Sequence, residues 1–95
     1  MEIQSLYKHR RTAELEEWGT QINLLEARLE NMEAHIMSGY VEQFNELRAK
    51  QRAALEKLKE LGHDRGTSWV RVKATADEIW DDLKNGLAET RSKFD

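Results

Sequence analysis

The chain has 95 residues, enough for one small domain. It has no cysteine, which excludes a disulfide framework, a thiolate zinc site and a cysteine nucleophile. Charged residues make up 35% of the chain and the formal net charge is -3, so no global basic field draws in nucleic acid. Residues 1–48 carry five Lys/Arg against nine Asp/Glu, and residues 49–95 carry ten against nine. The start, Met1-Glu2-Ile3-Gln4-Ser5, lacks the apolar run of a signal peptide, and no stretch approaches the ~20 apolar residues of a spanning helix. The composition suits the cytoplasm.

The first predicted element is a long helix over about 3–61. Leu15, Trp18, Ile22, Leu25, Leu29, Met32 and Ile36 follow 3-4 spacing, and Phe44, Leu47, Gln51, Ala54, Leu58 and Leu61 resume it. That period draws one apolar seam along a helix, and no proline interrupts it. From Met32 to Phe44 the spacing becomes 4-4-4, and Ser38-Gly39 lies inside that stretch. The supercoil is expected to relax there rather than break, with a three-helix bundle broken near Gly39 as the alternative. Gln51 occupies a seam position, either as a buried amide that fixes register or as a side chain reaching solvent. The tetrapeptide Lys8-His9-Arg10-Arg11 is the basic run of the chain and reads as a solvated helix face.

A turn is predicted at 62–67. Gly62 sits where a C′ glycine ends a helix, Lys57 and Lys59 favour the negative helix end, and Thr67 or Ser68 can cap a following helix. That last helix covers about 68–94. Its apolar pattern repeats every eleven residues: Trp69 with Trp80, Val72 with Leu83 and Phe94, Ala76 with Leu87.

The fold class is therefore all-α, a long antiparallel helical hairpin or coiled coil. Its expected hairpin core is Phe44, Leu47, Leu58, Leu61, Trp69, Trp80, Leu83 and Leu87. A first helix of ~88 Å against a second of ~40 Å leaves Leu15, Trp18, Ile22, Leu25, Leu29 and Met32 without an intrachain partner. Burial of six such groups is worth roughly 9–18 kcal/mol as an upper estimate. The expected solution is a homo-oligomer paired through those six residues, a dimer first.

The segments from Leu15, Trp18 and Ile22, through Glu46-Leu47-Arg48-Ala49-Lys50 and Leu55, Leu58 and Leu61, to Trp80-Asp81-Asp82-Leu83-Lys84 resemble a family of short bacterial coiled-coil proteins labelled stress-response proteins. The resemblance covers residues from about 13 to 94. It implies a bacterial source, a helical hairpin and no catalytic residues. The chain departs from it at Ser38-Gly39, where the family reads as unbroken helix, and at the basic start from Lys8 to Arg11.

Candidate chemistry is sparse. Glu60 and His63 have half the spacing of a bundle metal motif, but a complete site needs a second such pair and further glutamates, and Met32 stands where His35 would need its glutamate. Acidic pairs such as Glu16-Glu17 and Asp81-Asp82 fall outside the seam, where carboxylates gain nothing catalytically. The five glycines are scattered and form no phosphate loop. No catalytic, cofactor-binding or metal-binding residue is assigned, and no cofactor is expected. Trp69, Trp80 and Phe94 with nearby cations suggest an amphipathic coat on a membrane or other apolar surface. Packing of those aromatics inside the fold is the favoured reading. The function expected is a non-enzymatic, self-associating interaction or scaffold protein, linked to stress through the resemblance.

Overall fold

The computed structural model describes residues 3–63 and 69–94, and it is all-α. Three helices follow one another: α1 (Ile3–Glu30), α2 (Ala34–His63) and α3 (Trp69–Phe94). The first predicted helix is not continuous. It ends at Glu30, and the chain reverses through Asn31, Met32 and Glu33. The break lies eight residues before Gly39, which is inside α2.

Local hydrogen bonds explain the stop. The Asn31 amide reaches back to both Ala27 O and Arg28 O at 3.3 and 3.2 Å, and Met32 N reaches Leu29 O at 3.1 Å, a tightened last turn. The Asn31 side chain donates to Ala27 O at 3.0 Å and so satisfies a carbonyl of the helix end. Beyond it, the Glu33 carbonyl accepts from Ile36 N at 2.9 Å and Met37 N at 2.8 Å, which opens α2. The predicted stop at Gly62 is also displaced, because α2 runs to His63. Residues 64–67 of the expected turn, and the expected caps Thr67 and Ser68, lie outside the described residues.

Cross-helix bonds give the topology. Arg48 of α2 reaches Asn23 of α1, Tyr40 of α2 meets Phe94 of α3, and Tyr7 and Arg28 of α1 meet Asp77 and Phe94 of α3. The helices therefore run up, down and up, with α1 and α3 parallel. The bundle measures 51 × 20 × 18 Å.

The reversal at Asn31–Glu33 folds α2 back along α1, and this changes the fate of the α1 seam. Leu15, Ile22, Leu25 and Leu29 are buried in the shared core of the three helices, and Trp18 and Met32 pack against it partly buried. The seam expected to pair with a second copy is covered by the chain's own α2 and α3. Of the expected hairpin core, Phe44, Leu47, Leu61, Trp80, Leu83 and Leu87 are buried, while Leu58 and Trp69 are partly buried against them. In α3 the buried row reads Ala76, Trp80, Leu83, Leu87, Thr90 and Phe94, an alternating 4-3 spacing; it holds the pairs Ala76–Leu87 and Leu83–Phe94, while Trp69 and Val72 are only partly buried. Thr90 holds a seam slot because its hydroxyl bonds Gly86 O at 2.8 Å. Gln51 is half-buried; its carbonyl accepts from Arg48 Nη1 at 2.8 Å, and it lies across Gly19 of α1.

Candidate functional site

The densest chemistry lies where the first turns of α1 meet the first turns of α3. Tyr7 and Arg11 are one helical turn apart and share a face of α1; Lys73 and Asp77 do the same on α3. The Tyr7 hydroxyl donates to Asp77 Oδ1. Arg11 Nη2 donates to the same oxygen at 2.6 Å, and its Nη1 reaches Glu14 at 2.8 Å. Lys73 Nζ takes the other Asp77 oxygen at 3.2 Å. The Arg11 guanidinium sits 5.0 Å from the Tyr7 ring centre and 5.6 Å from that of Trp80, whose indole N–H donates to Arg11 O. Trp69 closes the aromatic side, edge-on to Tyr7 at 5.5 Å.

Electrostatics follow from this crowding. Partial burial pushes the Asp77 carboxyl up, but hydrogen bonds from Tyr7, Arg11 and Lys73 outweigh it and hold the group at about 2. Burial raises the Tyr7 phenol, and its bond to the Asp77 carboxylate raises it further against the opposing effect of Arg11. Burial would weaken the Arg11 cation, but its bonds to Tyr7, Asp77 and Glu14 keep it firmly charged. Each of these groups is occupied by the others, and together they clamp α1 to α3. Arg11 Nε is buried without a partner, a fixed cost of the arrangement.

In the sequence Arg11 reads as part of a solvated basic run, and neither Tyr7 nor Asp77 stands out. The spacing Tyr7-Arg11 is the local signal, since an aromatic and a cation one turn apart face the same way. Their partner Asp77 is 66 residues distant from Arg11, and only the topology brings it close.

A second polar contact joins α1 to α2, where Arg48 reaches Glu26 at 3.1 Å and Asn23 at 3.1 Å while its guanidinium lies over Phe44. At the far end Tyr40 packs edge-on against Phe94, and Arg28 Nη2 donates to Phe94 O at 2.7 Å, satisfying a terminal carbonyl of α3. Among the described residues no group of three or more His, Asp or Glu is placed to hold a metal ion. His35 is exposed beside Glu33, and the His63 side chain lies outside the description.

Among the described residues, two open grooves stand out on the surface. One, of about 370 Å³, runs between α2 and α3 with Gly39 and Gly86 on its walls and a mixed rim of Glu42, Lys50, Glu89 and Lys93. The other, of about 440 Å³, lies along α1 beside α3 and is lined by Leu24, Leu25, Ala27 and Arg91. Leu24 is 62% exposed there. Other exposed aliphatic side chains are Ile3, Leu6, Ile36, Leu55 and Val70. No described helix is long and apolar enough to cross a membrane.

Charge is sorted along the bundle. The end built from residues 3–13, 57–63 and 69–79 carries seven Lys/Arg against three Asp/Glu, and the remaining described residues carry seven against twelve. One end is thus net positive by four and the rest net negative by five. No protein family, curated protein or solved structure was found to match this chain.

Proposed function

We propose that this chain is a non-catalytic, self-associating helical scaffold. The observation that carries this reading is the sorted charge: an elongated bundle, positive at one end and negative over the rest, is complementary to a reversed copy of itself. The perturbed ionisable groups support the non-catalytic half of the reading, because Tyr7, Arg11 and Asp77 spend their hydrogen bonds on each other and on helix clamping. The link to bacterial stress rests on the sequence resemblance, and a cytoplasmic setting on the composition. A coat on lipid through the α3 aromatics has less support, since Trp80 and Phe94 are buried and Trp69 is packed on Tyr7.

Light scattering at tens of micromolar tests the proposal. A mass of twice 11.1 kDa in low salt, falling towards the single-chain value in high salt, is expected. A monomer at both ionic strengths overturns it.

A further inference from the structure

We infer that the outer row of α1 is the self-association surface and that a second copy docks on it antiparallel; this rests on the self-association proposed above. The row is Leu6, Arg10, Ala13, Glu17, Thr20 and Leu24, spaced 4-3-4-3-4. All six are exposed, Leu6 by 54% and Leu24 by 62%. The row lies off the buried face of Leu15, Ile22 and Leu25, and on the opposite flank from Asn23 and Glu26, which bond α2. Neither Arg10 nor Glu17 forms an ion pair among the described residues.

The row is complementary to its own reverse. A two-fold axis near the level of residue 15 sets Leu6 opposite Leu24 of the other copy, and Ala13 opposite Glu17. Arg10 then lies within one turn of Glu17 of the other copy, and symmetry makes every contact twice. Leu6 enters the groove beside Leu24, lined by Leu25, Ala27 and Arg91. Ala13 at the centre is small enough to let the helices approach. Parallel pairing would set Arg10 on Arg10 and Glu17 on Glu17, and the positive end on the positive end. Charge therefore selects the antiparallel orientation. This uses the first half of the chain, as the seam argument required, but on the other face of the helix.

The native chain has no cysteine, so single engineered thiols report on geometry. With a bismaleimide of about 8 Å span, Ala13→Cys is expected to cross-link to itself. Leu6→Cys is not, because the two Leu6 positions stand about 27 Å apart along the axis at ~1.5 Å per residue. Glu17→Arg turns two symmetry-related attractions into repulsions and is expected to weaken association at least about tenfold; Arg10→Glu added to it restores pairing. These positions are exposed, and circular dichroism checks that the variants stay folded. If the parent is a dimer but Ala13→Cys stays uncross-linked, or Leu6→Cys cross-links as well, this surface and orientation are wrong while the scaffold reading stands. A monomeric parent refutes both.

Discussion

Arg11 and Asp77 should respond unequally to truncation. The Arg11 side chain is only 15% exposed, with its Nε buried and unpartnered, whereas Asp77 is 39% exposed. Asp77→Ala leaves the guanidinium in place with Glu14 as its remaining anionic partner. Removing one member of a fully buried pair costs about 3–5 kcal/mol; the exposure of Asp77 and the retained Glu14 reduce this to about 2 kcal/mol. Arg11→Met removes the buried cation and the orphaned Nε together and keeps an unbranched stem against Tyr7 and Trp80. Asp77 then still accepts from Tyr7 and Lys73. The expected cost is below about 1 kcal/mol, since an apolar replacement of a desolvated charge is often nearly neutral. For a domain of this size Asp77→Ala should lower Tm by about 8–16 °C and Arg11→Met by less than about 8 °C. The double variant should lose less than the sum, because the orphaned charge is gone. Thermal and urea unfolding of the four proteins measure the cycle. Arg11→Met losing as much as Asp77→Ala, or strict additivity, would refute the account of this cluster.

The same carboxylate sets an acid limit. Asp77 is held at about 2, below the ordinary 3.8, so its contribution is complete above about pH 4 and is lost as pH falls through about 2. Asp77→Asn should flatten the acid limb of stability in that window, and an unchanged limb would show that other carboxylates control it. Ala34→Pro tests the break at Asn31–Glu33: at the first position of α2 it should cost less than about 1 kcal/mol, whereas in a continuous helix it would cost about 3 kcal/mol. Ile22→Ala, at a position with no exposure, should cost about 2–5 kcal/mol in urea unfolding, while Leu55→Ala, at 45% exposure, should stay within about 1 kcal/mol. Gly39→Ala should stabilise by about 0.5–1 kcal/mol, because the added methyl meets nothing within 4 Å and the helix gains propensity; a fall in Tm would indicate contact at that face.

Periodicity made the helices and their buried rows legible. Ile22, Leu25 and Leu47 follow from 3-4 spacing and Leu83 and Leu87 from the eleven-residue repeat, and all five are buried. The reversal was harder to see because its chemistry is ordinary. No glycine or proline marks it; an asparagine folds its amide onto Ala27 O, and a glutamate carbonyl opens the next helix. Asparagine is a recognised helix stop, but inside an unbroken apolar pattern it competes with propensity and loses. The deciding energy is tertiary: reversal buries Leu15, Ile22, Leu25 and Leu29 within one chain. Gly39 is the conspicuous breaker in the sequence, yet a helix anchored elsewhere by its buried row tolerates one exposed glycine at a cost of about 1 kcal/mol.

The charge sorting shows why a surface is less legible than a core. Counted along the sequence, the first half of the chain is acidic and the second nearly balanced. An up-down-up bundle reassorts those residues, bringing the basic start of α1, the lysines near the end of α2 and the cations at the start of α3 to one end. Lys8, Arg10, Lys59 and Arg71 form a common field only once the reversal at Asn31 is in place. A continuous hairpin would have carried the basic start far beyond the end of the second helix and left no compact pole. The same reversal that removes the inner seam as a pairing surface therefore creates the polarity that supports pairing on the outer one. Were the Ala34→Pro test to show a continuous helix, the basic start would no longer meet the start of α3, and the outer row would lose its complementary pole.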